Sequence, residues 1–255
     1  MYKNRNSKVV AIVQARVGST RLPGKSLMPL AGREMVLRIL ERIKRASLID
    51  EIVLAIPDSE EDIVLASLAA ELGVTVFRGS ENDVLERYYF AALETSADYI
   101  VRIPADNPVS QPEEIDRIVS HHLDLGRPGF SSNLAEVNHS GYPDGIGAEI
   151  FDFVLLEKAW QSNGDSEQRE HVHLNFFNYK TGKAVDESWC PISSPICPKE
   201  FARPDLILDI NEKRQYEYFV RMYNDLYFNN PEFGILDIIK WHDSGTQINE
   251  KEDQL

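Results

Sequence analysis

Three cations crowd one short stretch, AIVQARVGSTRLPGKSL: Arg16, Arg21 and Lys25, with Gly18, Ser19 and Thr20 among them and no acid between Arg16 and Lys25. Glycine lets backbone N–H groups approach an anion, hydroxyls donate to it, and guanidinium or ammonium groups match phosphate oxygens. Such a loop is suited to holding a polyphosphate. Two acids at the ends of apolar runs form a second set: Asp106 in IPADNP and Asp209 in LILDI. Carboxylate oxygens are what magnesium accepts, usually one or two of them with phosphate oxygens and water completing the shell. Each acid also has a plainer use. Asp106 can close a turn before Pro108, and Asp209 can cap the helix that follows; capping and metal binding do not exclude each other.

The loop ends in Gly24-Lys25-Ser26, yet it is not a P-loop. That pattern places four residues between its glycine and the Gly-Lys pair, whereas five separate Gly18 from Gly24 here. A P-loop also feeds directly into a helix, and Pro29 and Gly32 block one from Ser26. The next helix is expected near Arg33. What remains is a cationic loop at the carboxyl end of a strand, where open α/β sheets bind ligands.

The elements that must position these residues alternate regularly in the first half. KVVAIVQA, EIVLAIP, VTVFRG and ADYIVRIPAD are apolar runs expected as buried strands. Between them EMVLRILERIKRA, EEDIVLASLAAELG and DVLERYYFAALETS carry helical spacing, and QPEEIDRIVSHHLDLG adds a helix with Pro and acids at its start. This rhythm predicts an α/β fold with a mostly parallel sheet and helices on both faces. The second half is less regular. FSSNL, GAEIFDF and DLILDI are expected as strands, and FVLLEKAWQS, EQREHVHLNFFNY and NEKRQYEYFVRMYNDLYF as helices. One domain over 1–243 is expected, with an insertion at about 127–200 and a flexible tail at 244–255.

The chain of 255 residues carries a net charge of −14, which disfavours non-specific nucleic-acid binding. No apolar run approaches the roughly 18 residues of a membrane span, and a cytoplasmic, soluble protein is expected. Cys190 and Cys197 fit neither CxxC nor zinc spacing and are expected as free thiols. His121 and His122 lack a partner pattern and are expected on the surface; Leu85, Tyr88 and Tyr89 are expected in the core.

With the loop motif, VFRGSENDVLERYY, YIVRIPADNPV, YPDGIGAEIF, SEQREHV and DLILDINEKRQYEYF follow in an order that resembles the cytidylyltransferase family of CMP-sialic acid and CMP-Kdo synthetases. The likeness is strongest to the SpsF-like branch of spore-coat polysaccharide biosynthesis, over roughly residues 8–225. It implies a Rossmann-like nucleotidyltransferase sheet and Mg²⁺-dependent transfer of CMP from CTP to a sugar acid or a phosphorylated or phosphonate acceptor. It further implies that Arg16 and Lys25 bind the triphosphate, with Gly18, Ser19 and Arg21 nearby and Ala15 against the nucleotide. Asp106 and Asp209 would hold the metal, and Arg78 would lie near the base.

Asp144 and Glu149 are the implied acceptor contacts, and Arg169 and His171 are candidates to read an acceptor carboxylate or phosphate. Two departures stand out. Gly147 occupies a position where relatives often carry aspartate, and Pro104 one where threonine is usual. A nucleotide-sugar glycosyltransferase and a non-catalytic nucleotide-binding relative are the alternatives. Relatives are often homodimers.

Overall fold

The computed structural model describes residues 7–19, 21–133, 137–162 and 164–245. Thr20 and residues 246–255 of the expected tail lie outside them. The first half contains β1 (Val9–Gln14), β2 (Pro29–Leu30), β3 (Arg33–Glu34), α1 (Met35–Ile43), β4 (Glu51–Pro57), α2 (Ile63–Glu71), β5 (Thr75–Gly79), α3 (Val84–Glu94), β6 (Tyr99–Pro104) and α4 (Pro112–Asp124). There follow β7 (Phe130–Ser132), β8 (Glu149–Asp152), α5 (Phe153–Gln161), α6 (Ser166–Glu170), β9 (Phe177–Asn178), β10 (Lys183–Ala184) and β11 (Ile192–Ser193). Two helices, α7 (Lys213–Leu226) and α8 (Ile235–Asp243), close the chain.

Seven strands form one sheet in the order β11-β7-β8-β6-β1-β4-β5. β6, β1, β4 and β5 run parallel, as the βαβ rhythm requires. β8 is antiparallel to both β6 and β7, so the second half continues the same sheet. Because side chains alternate along a strand, β1 feeds two cores. Val9, Ala11 and Val13 pack with α1, α4, α7 and α8, while Val10 and Ile12 pack with α3 and α5. Leu85, Tyr88 and Tyr89 lie in the second core as expected.

Pro29 and Gly32 act as the sequence predicts. The chain after Lys25 makes one 3-10 turn and the small β2–β3 hairpin before α1 begins at Met35.

Three expectations are corrected, and one unassigned element appears. The helix over EQREHVHLNFFNY stops at Glu170; a 3-10 turn over Val172–Asn175 and strand β9 replace the rest. Asn175 explains the break, because its Nδ2 donates to the carbonyls of Gln168 and Val172 that a continuing helix would use. DLILDI is extended and alternates between buried Leu206, Leu208 and Ile210 and an exposed Ile207, but it joins no sheet. Its backbone partners are loops: one bridge joins Asp144 to Ile207, and Ile210 N donates to Asp106 O. His122 is buried, with its ring nitrogens on Ser131 Oγ (2.7 Å) and Asp152 Oδ2 (3.1 Å), because α4 covers the β7–β8 end of the sheet. Finally, GILDIIKWHD forms α8, to which the sequence patterns above assign nothing. Its Ile235, Ile238 and Trp241 are buried at helical spacing.

Among the described residues, no helix is long and apolar enough to cross a membrane. Cys190 and Cys197 are both buried free thiols.

Candidate active site

The cationic loop begins one residue past β1. Ala15 N donates to Ala55 O, extending the parallel ladder to the edge of a cleft of about 210 Å³. Buried Asp62 then anchors the loop by accepting from Val17 N (2.7 Å), and Val17 O accepts from both Ser19 N and Gly24 N. Ser26 Oγ donates to Arg16 O. With the backbone closed on itself in this way, Arg16, Ser19, Arg21 and Lys25 all line the cleft beside Ala15. Gly18 does not line it, and a Cβ there would meet only the tip of Glu61.

Lys25 gathers the distant pieces. Its Nζ donates to Asp106 Oδ2 (3.2 Å), from the loop after β6, and to Ile210 O (2.9 Å), one residue past Asp209. Asp106 O in turn accepts from Ile210 N (2.8 Å). Three segments far apart in sequence thus meet at one end of the sheet. Asp209 does not cap α7: its carboxylate accepts from Asn211 Nδ2 and from Gln215 Nε2, while Gln215 Oε1 accepts from the backbone of Asn211 and Glu212. Burial, then the facing Asp144 and Asp106 carboxylates, push the Asp209 carboxyl above its ordinary range. A carboxylate raised by like neighbours is stabilised by an arriving cation.

Oxygen donors of this kind suit magnesium. Among the described residues no three His, Cys, Asp or Glu side chains converge on a single point; two carboxylates with phosphate oxygens and water form a donor set that a hard divalent cation accepts.

Asp144 lies close to Asp209 in this group. Gly145, at φ +81°, lets the Asp144 loop pass against the Leu208 carbonyl; a Cβ there would lie 2.3 Å from that oxygen. Other expected residues are placed elsewhere. Arg78, on edge strand β5, pairs with Asp58 (2.8 Å) and the Ser59 carbonyl and does not line the cleft. Arg169 is also absent from the cleft lining; it fastens α6 to α3 through Asp83 (Nε to Oδ2, 2.7 Å) and the Trp160 carbonyl. Its neighbours Glu170 and His171 do reach the cleft, and Glu170 pairs with Arg16 at 3.7 Å. His173, half-buried beside Tyr179, is held down to about 2 by desolvation and then by Arg102 and His171, and is neutral.

Glu149 is 1 % exposed and supports the site from behind. Its carboxylate accepts from Arg102 Nη1 (2.7 Å) and Tyr179 Oη (3.2 Å). Burial works against the charge on Arg102, and Glu149 more than offsets it, leaving the guanidinium above its ordinary range. Glu149→Gln strands that cation in the core, and a loss of about 3–5 kcal/mol in unfolding free energy is expected in urea titration.

Gln14, Arg87, Arg102 and Glu170 line the cleft, and none was singled out from the sequence. A signal existed for Arg102, a cation inside the otherwise apolar run YIVRIP, where an unpaired charge is rarely tolerated. Arg87 was hidden between the apolar positions of VLERYY.

Comparison with known proteins bears on the fold and the family. The family model for cytidylyltransferase matches residues 10–225. Spore coat polysaccharide biosynthesis protein SpsF of Bacillus subtilis is 30% identical over 220 residues, 84% of this chain and 86% of that protein. Uncharacterized protein MJ1063 of Methanocaldococcus jannaschii is 41% identical over 165 residues, and the match spans 65% of each chain. A solved cytidylyltransferase from Leptospira borgpetersenii is 29% identical, with a TM-score of 0.82 over 94% of this chain and 95% of that one.

Proposed function

Because the chain belongs to the cytidylyltransferase family and is a CTP-dependent nucleotidyltransferase, we propose that it transfers CMP to a small anionic acceptor in the synthesis of surface polysaccharide or glycoconjugate precursors. The acceptor is a sugar acid or a phosphorylated or phosphonate compound. Its oxygen attacks the α-phosphorus in line, a new P–O bond forms, the bond to the bridging oxygen breaks, and pyrophosphate leaves. Arg16 and Lys25 hold the β- and γ-phosphates and meet the charge that grows on the departing group, where fixed donors count for most. Ser19 and Arg21 supply further donors from the same loop.

Asp106 and Asp209 would hold Mg²⁺, which would neutralise charge at the α-phosphate and lower the pKa of the acceptor hydroxyl. Lys25 orients the Asp106 carboxylate, and Gln215 with Asn211 orients that of Asp209. The observation that carries the proposal is Lys25 itself, joined at once to Asp106 and to the residue after Asp209. Cytoplasmic placement belongs to the same proposal and is supported by the two unpaired thiols.

The test is a nucleotide and acceptor panel read as pyrophosphate release. CTP is expected to work in preference to UTP, GTP and ATP, with activity lost in EDTA and restored by Mg²⁺. Turnover indifferent to EDTA, or release of a nucleoside diphosphate from a nucleotide sugar, would overturn the proposal.

A further inference from the structure

On the buried side of the cleft, polar atoms without partners are concentrated. Arg87 is 2 % exposed, and its Nε and Nη1 have no hydrogen-bond partner among the described residues; the same holds for Nε of Arg102 and Oε1 of Gln14. All three side chains line the cleft. Arg102 has Glu149 as counter-ion, but among the described residues Arg87 has no ion pair of its own. The acids nearest it are engaged elsewhere, Asp83 with Arg169 and Asp62 with Val17 N and Ser59. Burial holds the Arg87 guanidinium below the usual arginine range and nearby Arg16 adds to the effect, while Tyr88, Asp62 and Asp83 offset part of it. Uncompensated buried cations are costly, and a fold keeps one where an anion is to arrive.

We propose that Arg87 and Arg102 form an anion subsite that receives the carboxylate or phosphate of the acceptor, with Gln14 accepting from a neighbouring hydroxyl. This rests on the cytidylyltransferase reading and adds the residues that select the acceptor class. Position sets the subsite apart from Lys25 and the two aspartates, although Arg16 of the loop lies within electrostatic reach of Arg87. Lys25, Asp106 and Asp209 meet where the loop joins the α7 side of the sheet, through Ile210. Arg87 comes from α3 on the other side, and Arg102 stands opposite Glu149, toward the antiparallel half. In-line displacement places the attacking oxygen across the phosphorus from the leaving pyrophosphate, so the two substrates need anion-binding groups on opposite sides. A neutral base or ribose would leave the Arg87 charge unmet; a carboxylate or phosphate answers it with bidentate geometry.

The experiment fills the nucleotide site with α,β-methylene-CTP and Mg²⁺, then titrates inorganic phosphate or pyruvate by calorimetry. The wild-type protein is expected to bind one of these probes, and the tighter one tells phosphate from carboxylate. Arg87→Met is expected to weaken that binding by about tenfold or more while holding the CTP analogue within about threefold. Arg87→Lys should retain part of it. The melting temperature of Arg87→Met should equal or exceed that of the wild type, the opposite of what loss of a structural arginine gives.

Unchanged probe binding in Arg87→Met, probes that bind only when the analogue is absent, or an affinity loss confined to the analogue would each overturn the subsite. No probe binding by the wild type would do the same. Failure of the wild type to bind the analogue at all would instead count against the cytidylyltransferase reading, and titration of the nucleotide-free protein with the same probes would still judge the subsite.

Discussion

Asp106→Asn is expected to fold normally and to lose about a thousandfold or more in kcat, as removal of a charge-bearing group at a phosphoryl centre does. The substitution keeps the shape of the side chain. The carbonyl of residue 106, which accepts from Ile210 N and so holds the 205–210 segment in place, belongs to the backbone and is untouched. Lys25 keeps its bond to Ile210 O. What disappears is one negative charge beside Lys25 and one of the two oxygen donors proposed for the metal.

Stability and function therefore separate at this position. The melting temperature should stay within a few degrees of the wild type, while pyrophosphate release collapses and added Mg²⁺ no longer restores it. Turnover within tenfold of the wild type would remove Asp106 from the metal and from the reaction. Lys25→Ala is a poorer probe, because it removes two anchors of the assembly together with the cation.

The second large effect is expected at Gly147. Replacing it with aspartate, the residue that the resembling family often carries there, should destabilise the fold by about 3 kcal/mol or more. A Cβ at residue 147 would lie 1.9 Å from Asn133 Oδ1 and 2.4 Å from its Cγ. Asn133 cannot step aside, for it is fully buried, donating from Nδ2 to Glu114 O (2.9 Å) and accepting from Ala148 N (2.8 Å). The absent acid is thus replaced in space by an amide from the end of β7.

Asn133→Ala alone should cost about 1–3 kcal/mol for the two partners it abandons. The pair Asn133→Ala with Gly147→Asp should cost less than the sum, with a coupling of about 1–3 kcal/mol in urea unfolding. Strict additivity would show that the two positions do not compete for one volume. The absence of this acid does not dismantle the centre, since Lys25, Asp106 and Asp209 assemble without it.

The sequence by itself determined the parallel half of the sheet and the loop that leaves it. Short β-branched apolar runs that alternate with helical patterns favour strands covered on both faces, and a cluster of cations without acids is local information that needs no partner to be seen. EIVLAIP coincides with β4 residue for residue. Tertiary structure decided whatever depended on a partner distant in the chain. Periodicity could not show that DLILDI pairs with loops instead of a strand, and even locally it missed that α6 ends at Glu170, where Asn175 takes the carbonyls. Nor could it show that Arg169 and Arg78 are occupied by acids while Arg87 is not. A charged residue has the same letter whether its counter-ion is a neighbour, the solvent or a substrate yet to arrive; only the packed chain distinguishes the three.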